Sequence, residues 1–528
     1  MNTKVEEGVD RTKDPLLSSS SGGMIYSYAT SLARGSTLLI IQSIVTTLVG
    51  LVGFAVAARM LTMDEMGALV GLTLLSGLVV QLSDLGTSTA IGKHVAESIG
   101  KGEDHTKFIF SGLVLKVALA AVFATAVASL SEPLSCLLFK SESYAGAVWL
   151  VGLDLALLVS NTVVTNSLLG MNNISAMATL GVISAFVRQS MAIALLTTGH
   201  GLQGYVLGWV FGDAVYAAVG ILILLLGRNL RLHSVTSIFQ TLRVLLVFSW
   251  PLYISGIVSF VYSTLDRMIL LAYLPLAEAG VYQVAYMGFS ILATVPAAIS
   301  TVLLPFYSRL RGMNDPENVK KGAKYASRYV SLVYSPIGLG AAAVARPVLS
   351  LFAGKRYAVG DLPLSTLSLF SVLTCPGAVL GGILLSYDMT LSVLLINLAS
   401  VATGFAMSVV LVPELGILGT ALTQGAIMTA SFLLTLVLLR RKKGIELETG
   451  SILRSFLSAM IMAVTVAVIE LLHFDERLLL LYIGVGILTY TALVRMFRLA
   501  RPEDFDLVRQ VLGGRMSRIV DAAEKVLT

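Results

Sequence analysis

Residues 248–286 read FSWPLYISGIVSFVYSTLDRMILLAYLPLAEAGVYQVAY. The stretch contains an apolar run long enough to cross a bilayer as a helix, a charged pair near its end (Asp266 and Arg267), a short turn, and the start of a second apolar run. The turn, LPLAEAG at Leu274–Gly280, has a weaker copy 213 residues upstream, LTMDEMG at Leu61–Gly67. GLQG at Gly201–Gly204 lies over GILG at Gly416–Gly419 with an offset of 215, and Leu168–Gly170 lies near Leu384–Ser386 with an offset of 216. One apolar span aligns with any other by composition, so the near-constant offset is what argues for a duplication. An offset that covers six spans, an even number, leaves both copies pointing the same way, which predicts a pseudo-twofold axis along the membrane normal.

With 56% apolar and 13% charged residues, 47 glycines and a mean hydropathy of +0.85, the chain lies far from soluble composition. Runs of about 20 apolar residues, each enough to cross a ~30 Å hydrocarbon core, recur about 14 times. The predicted fold class is an all-α polytopic membrane protein with two pseudo-twofold-related lobes of six helices and two C-terminal helices. The expected organisation is a polar tail at 1–34, a first lobe at 35–227, an amphipathic connector at 228–246 and a second lobe at 247–439. A basic loop with helices 13 and 14 then fills 440–497, and an amphipathic tail fills 498–528. The first run is too long for a secretory signal, and Cys136 with Cys375 gives neither a disulfide framework nor a metal site.

Orientation follows from the short loops, because cytoplasmic loops retain basic residues. Lys93, Lys101 and Lys107, Arg228 and Arg231, Arg309 and Arg311, Lys320 to Arg328, and Arg440 to Lys443 share one side, with few cations opposite. The expectation is a plasma-membrane protein with both termini cytoplasmic. The net charge of +6 is then a matter of topology and of attraction to anionic lipid, not of nucleic acid. Phosphate-loop, His-Glu-x-x-His, paired-cysteine and Gly-x-Ser-x-Gly patterns are missing, so no enzyme, cofactor or metal is expected.

Several stretches resemble, in order and spacing, the polysaccharide and oligosaccharide-lipid flippases of the multidrug/oligosaccharidyl-lipid/polysaccharide exporter superfamily. They are Ala58–Leu61 with Gly67, Asp84-Leu85-Gly86 with Ala96-Glu97, Pro251 with Asp266-Arg267 and Gly280–Tyr282, Leu304-Pro305, Phe352–Gly354 with Tyr357, and Val412–Gly419. The resemblance covers about residues 30 to 500. It implies fourteen helices, an inward-opening V-shaped cavity, and movement of a polyprenyl-diphosphate-linked glycan from the inner to the outer leaflet. Possible partners are membrane lipid, H+ or Na+ as coupling ion, and glycan-assembly proteins. A cation-coupled multidrug exporter and a non-transporting scaffold of a glycan-assembly complex are the competing readings.

Ionisable residues inside spans carry the functional expectation, since each is costly at the bilayer centre and so faces protein or water. Lys116, Asp154, Arg188 and Asp213 are read as one mid-membrane layer of the first lobe, with Asp266 and Arg267 in the second. Adjacent residues on a helix point about 100° apart, so Asp266 and Arg267 are expected to have separate partners. Under the resemblance, Lys116, Arg188, Arg267 and Arg59 become the cations that bind the diphosphate, Lys116 and Arg188 as its principal pair. Asp154, Asp213, Asp266 and Asp84 become cavity carboxylates available for ion coupling. The alternative for each cation is an interhelical ion pair, for Arg188 with Asp154 or Asp213. For Arg59 and Lys93 it is anchoring at the membrane interface.

Overall fold

A computed structural model describes residues 20–472, 475–499 and 524, and its described residues form helices and no strand. The first half is built from α1 (Ser20–Met60), α2 (Met63–Asp84), α3 (Thr87–Lys101), α4 (Thr106–Ser129), α5 (Ser131–Phe139), α6 (Ala145–Gly170), α7 (Ile174–Thr197) and α8 (Gly201–Leu226). The second half has α9 (Val235–Tyr273), α10 (Leu276–Gly312), α11 (Pro316–Ala343), α12 (Ala345–Ala353), α13 (Asp361–Thr374), α14 (Gly377–Ser386) and α15 (Thr390–Lys443). The chain closes with α16 (Thr449–Leu472) and α17 (Leu479–Met496).

Eleven helices are long and apolar enough to cross a membrane, and two bent pairs bring the total to 13. The pair α11–α12 bends by 69° and the pair α13–α14 by 51°. Prolines account for both: a continuous helix would press the Pro347 ring against the carbonyl of Ala343, where α11 ends, and Pro376 stands in the break between α13 and α14. Pro251, Pro305 and Pro336 lie inside helices that run unbroken past them. The 54-residue α15 turns back at Gly416 (φ 58°, ψ −133°), so that a Cβ on Gly419 would sit 2.0 Å from the Leu411 carbonyl oxygen. A straight helix puts residues eight apart about 12 Å from each other, so α15 is a hairpin of two spans, and the candidate spans among the described residues number fourteen.

The duplication shows at single residues. A Cβ on Gly67 would meet the Leu276 carbonyl oxygen at 1.9 Å, and one on Gly280 would meet the Met63 carbonyl oxygen at 2.3 Å. Met63 and Leu276 are themselves 213 residues apart, as are Gly67 and Gly280. Each glycine thus contacts the partner of the residue that contacts its own copy, the reciprocal arrangement of a twofold axis. Since α2 and α10 start at the same face and run side by side, the axis runs along them. Glu65 and Glu278, also 213 apart, repeat the pattern: their carboxylates lie 3.0 and 3.2 Å from where a Cβ would stand on Gly201 and Gly416, the positive-φ glycines that open each lobe's sixth span. A carboxylate at a helix N-terminus is favourably placed against its unpaired N–H groups.

The boundaries differ from expectation in three places. Helix α1 already runs from Ser20, inside the stretch read as a polar tail, and α9 starts at Val235, inside the connector. Helix α3 was read as a loop; α2 ends through two left-handed residues, Leu85 (φ 48°) and Gly86 (φ 71°), and the chain turns directly into it. Residues 1–19, and the C-terminal tail apart from Arg498, Leu499 and Glu524, lie outside the described residues.

Candidate functional site

The α2–α3 break generates the first charged group. It leaves the Ser83 and Asp84 carbonyls without helical partners, and the Lys116 Nζ of α4 takes both, at 3.2 and 2.9 Å, together with Asp84 Oδ1 at 2.7 Å. An ammonium has three donors, and here all three are used. Lys116 is fully buried. In this structure all three donors close the broken helix and none is left over for a phosphate. Asp84, rather than ending its helix in water, is the anion of that pair and also accepts from the Ser88 hydroxyl.

Arg188 of α7 is set differently. Its Nη1 lies 3.8 Å from Asp213 Oδ2 of α8, and its guanidinium sits over the Trp209 ring, 4.9 Å from the centroid. Close packing brings these groups together: a Cβ on Gly212 would stand 2.6 Å from Arg188 Cβ, and one on Gly208 2.7 Å from the Arg188 carbonyl oxygen. The Arg188 side chain keeps 33% exposure, whereas the residues Asp154 and Asp213 keep 1% and 7%. The Asp154 carboxyl touches that of Asp213, and Asp154 Oδ1 and Asp213 Oδ2 accept no hydrogen bond. Asn161 of α6 donates to Asp213 O at 3.0 Å and to Oδ1 at 3.3 Å.

Arg188 opens onto a cavity of about 300 Å³ lined by Gly50 and Phe54 of α1, Gln189, Tyr205 and Trp209, and closed by Met287 of α10. The cavity therefore lies between the lobes. Asp213 also lines a second cavity, of about 270 Å³, bounded by α3, α6 and α8. The layer expected from Lys116, Asp154, Arg188 and Asp213 is thus two separate groups, Lys116–Asp84 and Arg188–Asp213–Asp154.

In the second lobe, Asp266 is fully buried and accepts from the Tyr282 hydroxyl at 2.7 Å. Arg267 donates to the Ser263 carbonyl at 2.6 Å and covers the Tyr286 ring at 4.4 Å, with its Nε 3.7 Å from Asp266. Each has its own partner, and the two also touch.

Arg59 belongs to neither cavity. It donates to the carbonyls of Leu351 and Phe352 in α12, while Arg356 donates to the carbonyls of Ala58 and Leu61 at the end of α1. The two arginines clasp the lobes at the face of the α1–α2 turn. Arg356 carries no signal in the sequence, because a cation in a short loop between spans costs nothing that would mark it. Asn161 and Trp209, being uncharged, carry none either.

A model of the polysaccharide biosynthesis protein family matches residues 56–359. The chain belongs to that family. Among curated relatives it is similar to the probable low-salt glycan biosynthesis flippase Agl15 of Haloferax volcanii, 22% identical over 91% of this chain and 99% of that one. It is also similar to the succinoglycan biosynthesis transport protein ExoT of Rhizobium meliloti, 23% identical over 61% of this chain and 62% of that one. Among solved structures, the lipid II flippase MurJ in an inward closed conformation superposes with a TM-score of 0.73 at 14% identity, over 87% of this chain and 98% of that one. An inward-facing multidrug MATE transporter follows at 0.59 and 15% identity, over 75% and 94%. This chain thus shares the helical fold of these solved structures.

Proposed function

We propose that the protein is a flippase that moves a polyprenyl-diphosphate-linked oligosaccharide from the cytoplasmic to the outer leaflet by alternating access of its lobes. The observation that carries this reading is Arg188: a cation part-exposed on the wall of an interlobe cavity, with a planar fork suited to phosphate. Family membership and the flippase relatives support it. We place the protein in the plasma membrane with both termini inside, since the basic loops gather on one side. The Arg59–Arg356 clasp then holds the outer face shut.

Asp154 and Asp213 offer the coupling chemistry. With both ionised, the two carboxylates and Arg188 carry one net negative charge and repel an anion; one shared proton brings the group to neutrality, and a second leaves the guanidinium uncompensated for the anion. Against the drug-exporter reading, the aromatic face that would take an organic cation, Trp209, is already covered by Arg188.

Surface glycan at matched protein abundance tests the role of Arg188. Arg188→Ala should abolish export and Arg188→Lys should keep part of it, because charge survives without the fork. Arg188→Ala with Asp213→Ala should stay inactive; recovery of export in that double variant means that Arg188 only neutralises the carboxylate. Mass spectrometry of the Arg188→Ala strain should find a polyprenyl-linked glycan accumulated.

A further inference from the structure

We infer that the cavity inside the second lobe is a site for a neutral sugar, one unit of the cargo glycan; that role, though not the chemistry of the site, rests on the flippase reading above. The cavity, about 420 Å³, is bounded by α9, α10, α11, α13, α14 and the two arms of α15. That is many times the ~30 Å³ share of a single water. The break between α13 and α14 forms part of its wall, at Thr374, Cys375 and Gly377. Irregular backbone at membrane depth is tolerated where it lines a cavity. At Gly381, on the same wall, an added Cβ would find only the Ser300 Oγ within 4 Å, at 3.9 Å.

Part of the polar wall is already engaged. Tyr334 and Ser371 bond each other at 2.6 Å, Thr374 donates to the Phe370 carbonyl at 2.8 Å, and Tyr262 is hydrogen-bonded to Ser431. Three other lining groups, the Ser300 hydroxyl, the Asn397 amide and the Thr435 hydroxyl, make no hydrogen bond among the described residues, and none of them is sealed from solvent. Ser300 stands on α10, and Asn397 and Thr435 on opposite arms of α15. A Cβ on Gly404 would lie 2.4 Å from the Ile427 side chain, which fixes the register of those arms. In that register Asn397 and Thr435 stand level, each 19 residues from the Gly416 turn. Thr435 is only 7% exposed and lines the cavity, so the surface its hydroxyl keeps is surface shown to the cavity.

These groups decide the ligand. No charged residue lines the cavity, so neither a phosphate nor a cation meets a countercharge there. An isoprenyl chain would suit the apolar part of the wall but would leave the amide and both hydroxyls dry and unpaired, a cost that falls on each. An amide and two hydroxyls offer donors and acceptors together, and every sugar hydroxyl is itself both. The Phe432 and Tyr262 rings supply apolar surface for the C–H face of the same molecule.

Saturation-transfer NMR on the full-length protein in nanodiscs, titrated with the methyl glycosides of glucose, galactose, mannose and N-acetylglucosamine, tests the site without any phosphate. At least one glycoside should receive saturation above that in empty nanodiscs. Gly381→Leu, which fills the cavity, should abolish the transfer. Asn397→Leu and the nearly isosteric Thr435→Val should each weaken the affinity roughly 3- to 10-fold, the range of a neutral hydrogen bond. Because the Thr435 hydroxyl has no partner among the described residues, Thr435→Val should leave thermal unfolding unchanged, and it carries the test if either of the other variants does not accumulate in the membrane. No transfer to any glycoside, transfer that survives Gly381→Leu, or an affinity unmoved by both polar variants overturns the site. Calorimetric titration of the same samples with farnesyl diphosphate, a short polyprenyl diphosphate, separates this inference from the reading it rests on. Wild type that binds farnesyl diphosphate but no glycoside loses the sugar site alone. Wild type that binds a glycoside but no farnesyl diphosphate overturns the diphosphate reading, and with it the sugar's place in a cargo, while the site itself stands.

Discussion

The two lobes share a fold and differ in chemistry. At offsets of 213 to 216, Asp84, Lys116, Asp154, Arg188 and Asp213 fall opposite residues 297–300, 329–332, 367–370, 401–404 and 426–429, and those windows hold no charged residue. The second lobe has a cavity of its own, about 420 Å³, but its polar groups are neutral: Tyr334 with Ser371 at 2.6 Å, Thr374, Asn397 and Thr435 among them. Duplication therefore kept what builds the bundle, the glycine contacts and the Glu65 and Glu278 positions, while the charges at those five positions stayed with the first lobe and the second carries Asp266 and Arg267 elsewhere. On the proposed flippase reading this divides labour: the first lobe would hold the ionic part of a cargo and the second would offer a larger, uncharged space.

The largest expected effect tests whether the first lobe's charges are all functional. Lys116 is a buried cation with three acceptors, so Lys116→Ala leaves the Asp84 carboxylate without its countercharge and the Ser83 carbonyl without its side-chain donor, and should cost about 3–5 kcal/mol. Lys116→Met with Asp84→Asn should recover much of that loss, because no orphan charge remains. Thermal unfolding in detergent reads both. A Lys116→Ala protein of wild-type stability that has lost transport would return Lys116 to the binding site and dissolve the distinction drawn here between structural and exposed cations.

The next effect concerns what the lobes share. Gly67→Ala and Gly280→Ala each place a methyl where a carbonyl oxygen now stands at 1.9 or 2.3 Å. Overpacking of this kind costs typically about 1–3 kcal/mol. If the twofold relation is real, the two variants should destabilise by similar amounts despite the different chemistry around them, and a large inequality would show that the contact is not reciprocal.

These glycines also show what could be read from the chain. The repeated turn LTMDEMG and LPLAEAG carried its two structural residues, the glutamate and the glycine, in plain view, because a close backbone approach and a helix-terminal carboxylate each admit few residue types. Helix α7 occupies the span read at 174–197, since apolar length alone defines a crossing. The partners of Lys116 were not legible. They depend on α2 breaking at Leu85, a non-glycine residue in the left-handed region, which no periodicity announces. Asn161 escaped for another reason: an uncharged amide in a span carries no signal until the cavity beside it is seen.

A smaller effect is expected at the clasp. Arg59 and Arg356 hold backbone carbonyls across the lobes, and Arg59 is solvent-exposed, which weakens each bond. Replacing both by Ala should shift the balance of open and closed outer faces by about 1–2 kcal/mol, or roughly 5- to 30-fold in population. A cysteine at Thr46, on the interlobe cavity, should then react several-fold faster with an impermeant maleimide added outside. Unchanged labelling would mean that helix packing, not the arginines, keeps that face closed.

The smallest effect is predicted in the second lobe. Tyr334→Phe removes one hydroxyl that pairs with Ser371 at 2.6 Å in the wall of the larger cavity. The Ser371 hydroxyl then lacks that partner, and the loss should be about 1 kcal/mol in stability, the ordinary net worth of a neutral hydrogen bond. Because no charge lines this cavity, the affinity for farnesyl diphosphate should not change, in contrast to Arg188→Ala, which loses a charge-assisted contact and should weaken it roughly 10- to 100-fold. Calorimetric titration of both variants sets the two lobes side by side. A Tyr334→Phe protein that binds farnesyl diphosphate as poorly as Arg188→Ala would place the anion in the neutral half, and the assignment of ionic chemistry to the first lobe would have to be abandoned.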